Sequence, residues 1–409
     1  MIETNRITLP NGLRIIHNFD SATAMVALNV LYNVGSRDEN PERTGMAHLF
    51  EHLMFGGSEN IPDFDAAIET AGGANNAWTS NDYTNFYDIV PAHNAETAFW
   101  LESDRMKALA FSDKALEVQR QVVCEEFKQV CLNQPYGDLS HHLNALAYKV
   151  HPYRYPVIGK ELSHIQGVTQ EQVRDFFYSH YAPNNAVLAI SGNISFDKAR
   201  DLSEKWFGDI PGRSISKRSY KQEPRQTESR QAIAEGRVPQ TMIVQAYKMP
   251  GYFDKDYIVC DTITDLLASG RSSRFYRNLL MNSDLFTEVD ASITGYEEPG
   301  LLMLTGKLRD NADIESASQA LFNEASRLSN DVTGYELERT INRFESNFTF
   351  GSINYVSRAA AIAMCEMRNE DINDTVPRYR TISTSDICRV ATSIFNSDNC
   401  STLVYQPAK

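Results

Sequence analysis

One order of elements occurs twice in this sequence, and that recurrence limits the folds open to it. In the first half, "GLRIIHNF" and "AMVALNVLYNV" are rich in β-branched and apolar residues and predict strands. A charged loop punctuated by Gly and Pro follows, "GSRDENPERTG", then the helical "MAHLFEHLMF". In the second half, "TMIVQAYKMPGYFDKDYIVCDTITDLLASG" again gives strand, loop, helix and glycine, and "ELERTINRFESNF" stands in the place of "LEVQRQVVCEEFK". Two copies of one unit predict an α+β fold, each unit a mostly antiparallel sheet backed by helices. The polar stretch "GRSISKRSYKQEPRQTESRQAIAEG" is short of large aliphatics and reads as the link between the copies. The expected division is therefore 1–215, a linker at 216–235, and 236–409. At 409 residues the chain is too long for one ordinary hydrophobic core, which suits this division.

Bulk properties remove several functions. A formal net charge of -14 argues against nucleic acid, which needs a basic footprint, and against docking on anionic lipid. The opening "MIETNRITLPNGLRIIHNF" has no basic segment followed by an apolar one, and no run of about 18 apolar residues occurs, so neither a signal peptide nor a membrane span is expected. The six cysteines form no CxxC pair, which suits free thiols in a reducing compartment. Together these predict a cytoplasmic protein.

Chemistry concentrates in "GMAHLFEHLMFGG". On a helix, His48 and His52 are four apart and stack on one face, close enough for both imidazoles to reach one ion. Imidazole nitrogen suits zinc, and a catalytic zinc takes three protein ligands plus a water. Glu51 lies on the neighbouring edge of the same face, placed to take a proton from that water. The spacing H-x-x-E-H is the inverse of the commoner H-E-x-x-H motif. Because all nine histidines lie at or before His180, a histidine-bound metal belongs to the first copy.

A third ligand is offered by "VQRQVVCEEFKQ". Adjacent Glu125 and Glu126 point about 100° apart on a helix, so only one can face the metal. Glu126 shares a face with Gln119, Val122 and Val123, whereas Glu125 is expected to face solvent or to support the site from behind.

These blocks, with "ITLPNGLRII", "GGANNAWTSNDYTNFYDIVP" and "HPYRYPVIGKELSHIQGVTQEQVRDFFYSHYAPNNAVLAISGNI", closely resemble the pitrilysin/insulinase family of zinc peptidases over nearly the whole chain. The resemblance implies one zinc per chain, held by His48, His52 and Glu126, with Glu51 as the base. The family pairs its third ligand with a glutamate seven residues earlier, and here that position is Gln119. It also implies that Asn76 and Ala77, on an edge strand after a Gly-Gly turn, pair with an extended peptide by β-augmentation. In the second half the family's active chains carry an arginine and a tyrosine near the substrate carbonyl, where this sequence has Leu280 and Thr287. Arg277 and Tyr296 are near in sequence but out of register, so the second half is expected to be catalytically silent.

The resulting expectation is a zinc-dependent endopeptidase acting on peptides or unfolded segments, as the metal-carrying subunit of a heterodimer whose homologous partner supplies the arginine and tyrosine. Two alternatives differ in class: a non-catalytic binding subunit that keeps the zinc motif, and a self-sufficient homodimer.

Overall fold

The structure is a computed structural model that describes residues 1–215 and 217–408. Eleven strands are assigned among these residues: β1 (Asn5–Thr8), β2 (Arg14–Phe19), β3 (Met25–Tyr32), β4 (Ala74–Thr79), β5 (Thr84–Pro91), β6 (Ala186–Gly192), β7 (Arg230–Gly236), β8 (Met242–Met249), β9 (Phe286–Ile293), β10 (Gly300–Leu308) and β11 (Cys400–Pro407). They form one sheet in the order β1-β2-β6-β3-β5-β4 and another in the order β7-β11-β8-β10-β9. Each sheet has one parallel pair, β2 with β6 and β7 with β11, and is otherwise antiparallel. Five strands of the first sheet thus match the second in order and direction, so the duplication read from the sequence is a duplication of fold.

The helices that matter below are α1 (Met46–Leu53), α2 (Phe64–Thr70), α3 (Ala95–Lys107), α4 (Asp113–Phe127), α5 (Leu139–Ala147), α6 (Gln170–His180), α7 (Tyr257–Ala268) and α8 (Tyr355–Met367). By compactness the chain forms two units that are interleaved in sequence. Unit 1 comprises Met1–Phe127, Tyr155–Ser219 and Asn347–Thr375; unit 2 comprises Lys128–Arg154, Tyr220–Ser346 and Val376–Lys409. Each half of the sequence therefore gives one segment to the other half's unit.

Those segments have a packing role. In unit 1, Ile16, Leu31, Val187 and Ala189 form an apolar sheet face, and α8 covers it with Ile362 and Ala363. Arg358 anchors α8 through an ion pair with Asp20 and a 3.1 Å hydrogen bond to Ser191 Oγ. In unit 2, Leu143 and Ala147 of α5 cover Val244, Ala246 and Leu403. The opposite face of that sheet packs on α7 through Ile263, Leu266 and Leu267.

One stretch read as linker has a different end. From Arg230 the polar segment enters β7 and pairs with β11. Its strand character is carried by Ala232 and Ala234, alternating onto the apolar face, which are too small to stand out among polar neighbours. No helix among the described residues is long and apolar enough to cross a membrane.

Candidate metal centre

The site is built on α1, whose start is unusual. Its N-terminal residue is Gly45 in the left-handed region (φ 91°), where a side chain would be strained and would also crowd Gly159. A glycine offers no side chain to cap the helix, and buried Glu39 does so from the preceding loop. Its carboxylate accepts the N–H of Gly45 at 2.8 Å and of Ala47 at 2.7 Å. Burial pushes this carboxyl up to about 8, opposed by the same N–H groups, which favour the anion. The far face of α1 is held by Phe50, stacked on Phe177 and Tyr181. With both its end and its back fixed, α1 presents His48, Glu51 and His52 in a defined direction.

His48 and His52 lie one above the other, ring centroids 5.0 Å apart and nearly perpendicular. Opposite them α4 brings Glu126, whose Oε2 is 3.2 Å from His52 Nε2 and 3.6 Å from His48 Nε2. The three ligand atoms lie within 4.8 Å of one another, the one such His/Cys/Asp/Glu group among the described residues. Burial lowers the His48 imidazole to about 4, with Glu126 opposing, so it is neutral near pH 7. The hydrogen bond to His52 holds the Glu126 carboxyl below its usual range. Two imidazoles and a carboxylate that converge in this way form a donor set that zinc accepts. His48 Nδ1 is buried with no hydrogen-bond partner among the described residues.

Glu51 sits beside this group without belonging to it. Burial raises its carboxyl, and the hydroxyl of Thr79 opposes that by donating to Oε2 at 2.6 Å. Glu125 is exposed on α4, and Gln119 lies beside Gly56, just past the end of α1. Asn76 and Ala77 are on β4, the strand at the open edge of the sheet, and the Asn76 side chain accepts the N–H of Ala77 at 2.8 Å.

Comparison with known families matches both halves. Residues 14–161 fit the model described as Insulinase (Peptidase family M16), and residues 167–344 fit Peptidase M16 inactive domain. The chain belongs to the M16 insulinase family. Among M16 relatives, the "Zinc protease PqqE" of Helicobacter pylori is 26% identical over 98% of this chain and 92% of its own length. The probable mitochondrial-processing peptidase subunit beta of Arabidopsis thaliana is 23% identical over 84% of this chain and 67% of its own. The crystal structure of a protease from Helicobacter pylori superposes with a TM-score of 0.94 at 25% identity, covering 100% of both chains.

In unit 2, Leu280 lies within a wide helical turn (Phe275–Met281) and Thr287 lies on β9. Arg277 is exposed near Glu336, and Tyr296 stacks against Tyr153 at 4.2 Å. Sequence reading missed two contributors to the site, Glu39 and Thr79. Glu39 had a legible signal, an acidic residue in the loop just before a helix that opens on glycine. Thr79 had none, being 28 residues from Glu51.

Proposed function

We propose that this chain is a zinc-dependent endopeptidase that cleaves peptides or unfolded segments and carries the metal for a two-chain enzyme. The observation that carries the reading is the convergence of His48 Nε2, His52 Nε2 and Glu126 Oε2, with the Glu51 carboxylate beside them. In this reading the first three are the ligands of one zinc. Bound there, the metal would supply Lewis acidity, lowering the pKa of water and polarising a carbonyl. Glu51 takes the proton of the attacking water and delivers it to the leaving amine. Asn76 and Ala77 hold the peptide backbone along β4, with the Asn76 carboxamide leaving the Ala77 N–H as the peptide arrives. Gln119 and Glu125 act around the ligands rather than on the metal. The sequence copies are read as 1–215 and 236–409 with 216–235 between them, the last part of which, from Arg230, is β7 of the second sheet, and the second copy has no ligands.

The partner follows from Leu280 and Thr287, since leucine has no donor and the Thr287 hydroxyl is already engaged, donating to Gln240 Oε1 at 3.1 Å. The Arabidopsis relative is itself named as a subunit, which supports a paired assembly. Losing one such donor costs about 2.7–4 kcal/mol, or roughly 10²–10³ in rate. The purified chain is therefore expected to bind one zinc and cleave an internally quenched peptide library poorly. A homologous chain that lacks H-x-x-E-H but has the arginine and tyrosine should restore cleavage at equimolar ratio. Robust cleavage by the chain alone, as monomer or homodimer, would replace the two-chain reading with the self-sufficient one. Zinc binding without cleavage in any combination would favour the non-catalytic subunit.

A further inference from the structure

Thr79 is the last residue of β4 and the direct hydrogen-bond partner of Glu51. Its backbone has a second assignment. Ser80 donates its N–H to the Tyr83 carbonyl at 2.8 Å, which fixes the alternation of the β4–β5 ladder, whose register pairs Thr79 with Thr84 and Ala77 with Phe86. In an antiparallel pair, alternate residues turn their N–H and C=O inward. Asn76 and Trp78 accordingly face β5, while Asn75, Ala77 and Thr79 turn their backbone groups to the open edge. The Ala77 N–H bonded by its neighbour's side chain, rather than by β5, agrees with this alternation.

We propose that Thr79 is a positioning residue that ties the base to the peptide-binding strand: its hydroxyl fixes Glu51 while its backbone receives the substrate. This rests on the peptidase reading above. A glutamate side chain has three rotatable bonds, and its terminal torsion is broad. With Oε2 held by Thr79, Oε1 is the oxygen left to accept the proton of water. A β-branched residue is stiff about χ1, so Thr79 transmits the position of its own backbone to the carboxylate. A peptide paired along β4 has its scissile carbonyl in a fixed register with Thr79, and through Thr79 with Glu51. Binding and proton transfer are thereby aligned by one residue that itself transfers no proton.

The test uses the full-length chain, alone or with its partner, whichever cleaves. Thr79→Val removes the hydroxyl and keeps the branch; Thr79→Ser keeps the hydroxyl. Thr79→Val should lower kcat by roughly 10- to 100-fold, the scale of a misplaced reacting group. KM and bound zinc should stay within about twofold, and Thr79→Ser should recover most of kcat. A parallel readout needs no turnover: the urea midpoints of Thr79→Val, Glu51→Ala and the double variant should be non-additive. Additive midpoints, an unchanged kcat in Thr79→Val, or an equal loss in Thr79→Ser would each overturn the assignment. Non-additive midpoints with no cleavage by any wild-type combination would sink the peptidase reading, and the positioning role with it. An active wild type with additive midpoints would sink the positioning role alone.

Discussion

Helices α1 and α7 hold the same place in two matching sheets, yet only one of them offers metal donors. Where α1 has two histidines four apart, α7 has Asp261 and Asp265, also four apart. Burial raises the Asp261 carboxyl, and the Tyr379 hydroxyl opposes it by donating to Oδ2 at 2.5 Å. Burial also raises Asp265, opposed by a hydrogen bond from Ser269 and by the nearby Arg343 guanidinium. In unit 2 the acidic pair is thus answered by protein groups that are permanently in place. In unit 1 two imidazoles and a carboxylate converge, their ligand atoms within 4.8 Å of one another. The fold was duplicated as a scaffold, and the chemistry depends on which few side chains stand on one helix face.

The sharpest way to break this comparison is metal content. His48→Ala or His52→Ala should take zinc from one per chain to none by elemental analysis, while Asp261→Asn or Asp265→Asn should leave it at one. Glu126→Gln should weaken binding strongly and Glu125→Gln far less; the reverse order would move the third ligand to Glu125. Next in size is Glu51→Gln, expected to keep zinc and lose cleavage by about 10²-fold or more. Equal loss of metal and activity would make Glu51 a ligand or a structural group instead.

A smaller effect tests the proposal that unit 2 lacks oxyanion donors at Leu280 and Thr287. Introducing Leu280→Arg with Thr287→Tyr should raise turnover of the isolated chain by roughly 10-fold or more, a fraction of what oxyanion donors supply. No gain in a folded, zinc-loaded double variant would mean that these positions are not the missing donors. The smallest concerns a buried charge with a purely structural part. Lys248 Nζ sits 3.0 Å from the centroid of the Tyr148 ring, and burial lowers its ammonium to about 7. The folded pKa lies below the unfolded one, so between them the unfolded chain binds more protons and stability rises with pH. The wild-type unfolding free energy, relative to Lys248→Met, should rise from about pH 7 to about pH 10. A flat difference would place Lys248 in a more solvated setting.

Local signals made much of this legible in advance. Four-residue spacing placed both imidazoles on one face, and the 100° step between neighbours separated Glu126, which meets the histidines, from Glu125, which is exposed. The β4–β5 pair and the helix of "DFDAAIETAGG", capped by Asp63 through the Ala66 N–H, were read from alternation and turn residues. What stayed hidden depends on distance along the chain. Nothing local in "TSNDY" says that Thr79 will meet Glu51. Amphipathic α5 and α8 declare an apolar face but not which sheet it will cover, because hydrophobic burial has no directional code.

The interleaving of the units has a consequence for how such a chain is made. As it leaves the ribosome, every strand of the first sheet has been synthesised by Gly192, yet the helix that covers Ile16, Leu31, Val187 and Ala189 is not present until Tyr355. Throughout that interval a half-built sheet shows an apolar face to the cell. A product released at the boundary between the copies would lack the helix that covers that face. The topology thus ties completion of the first sheet's packing to the arrival of the second copy.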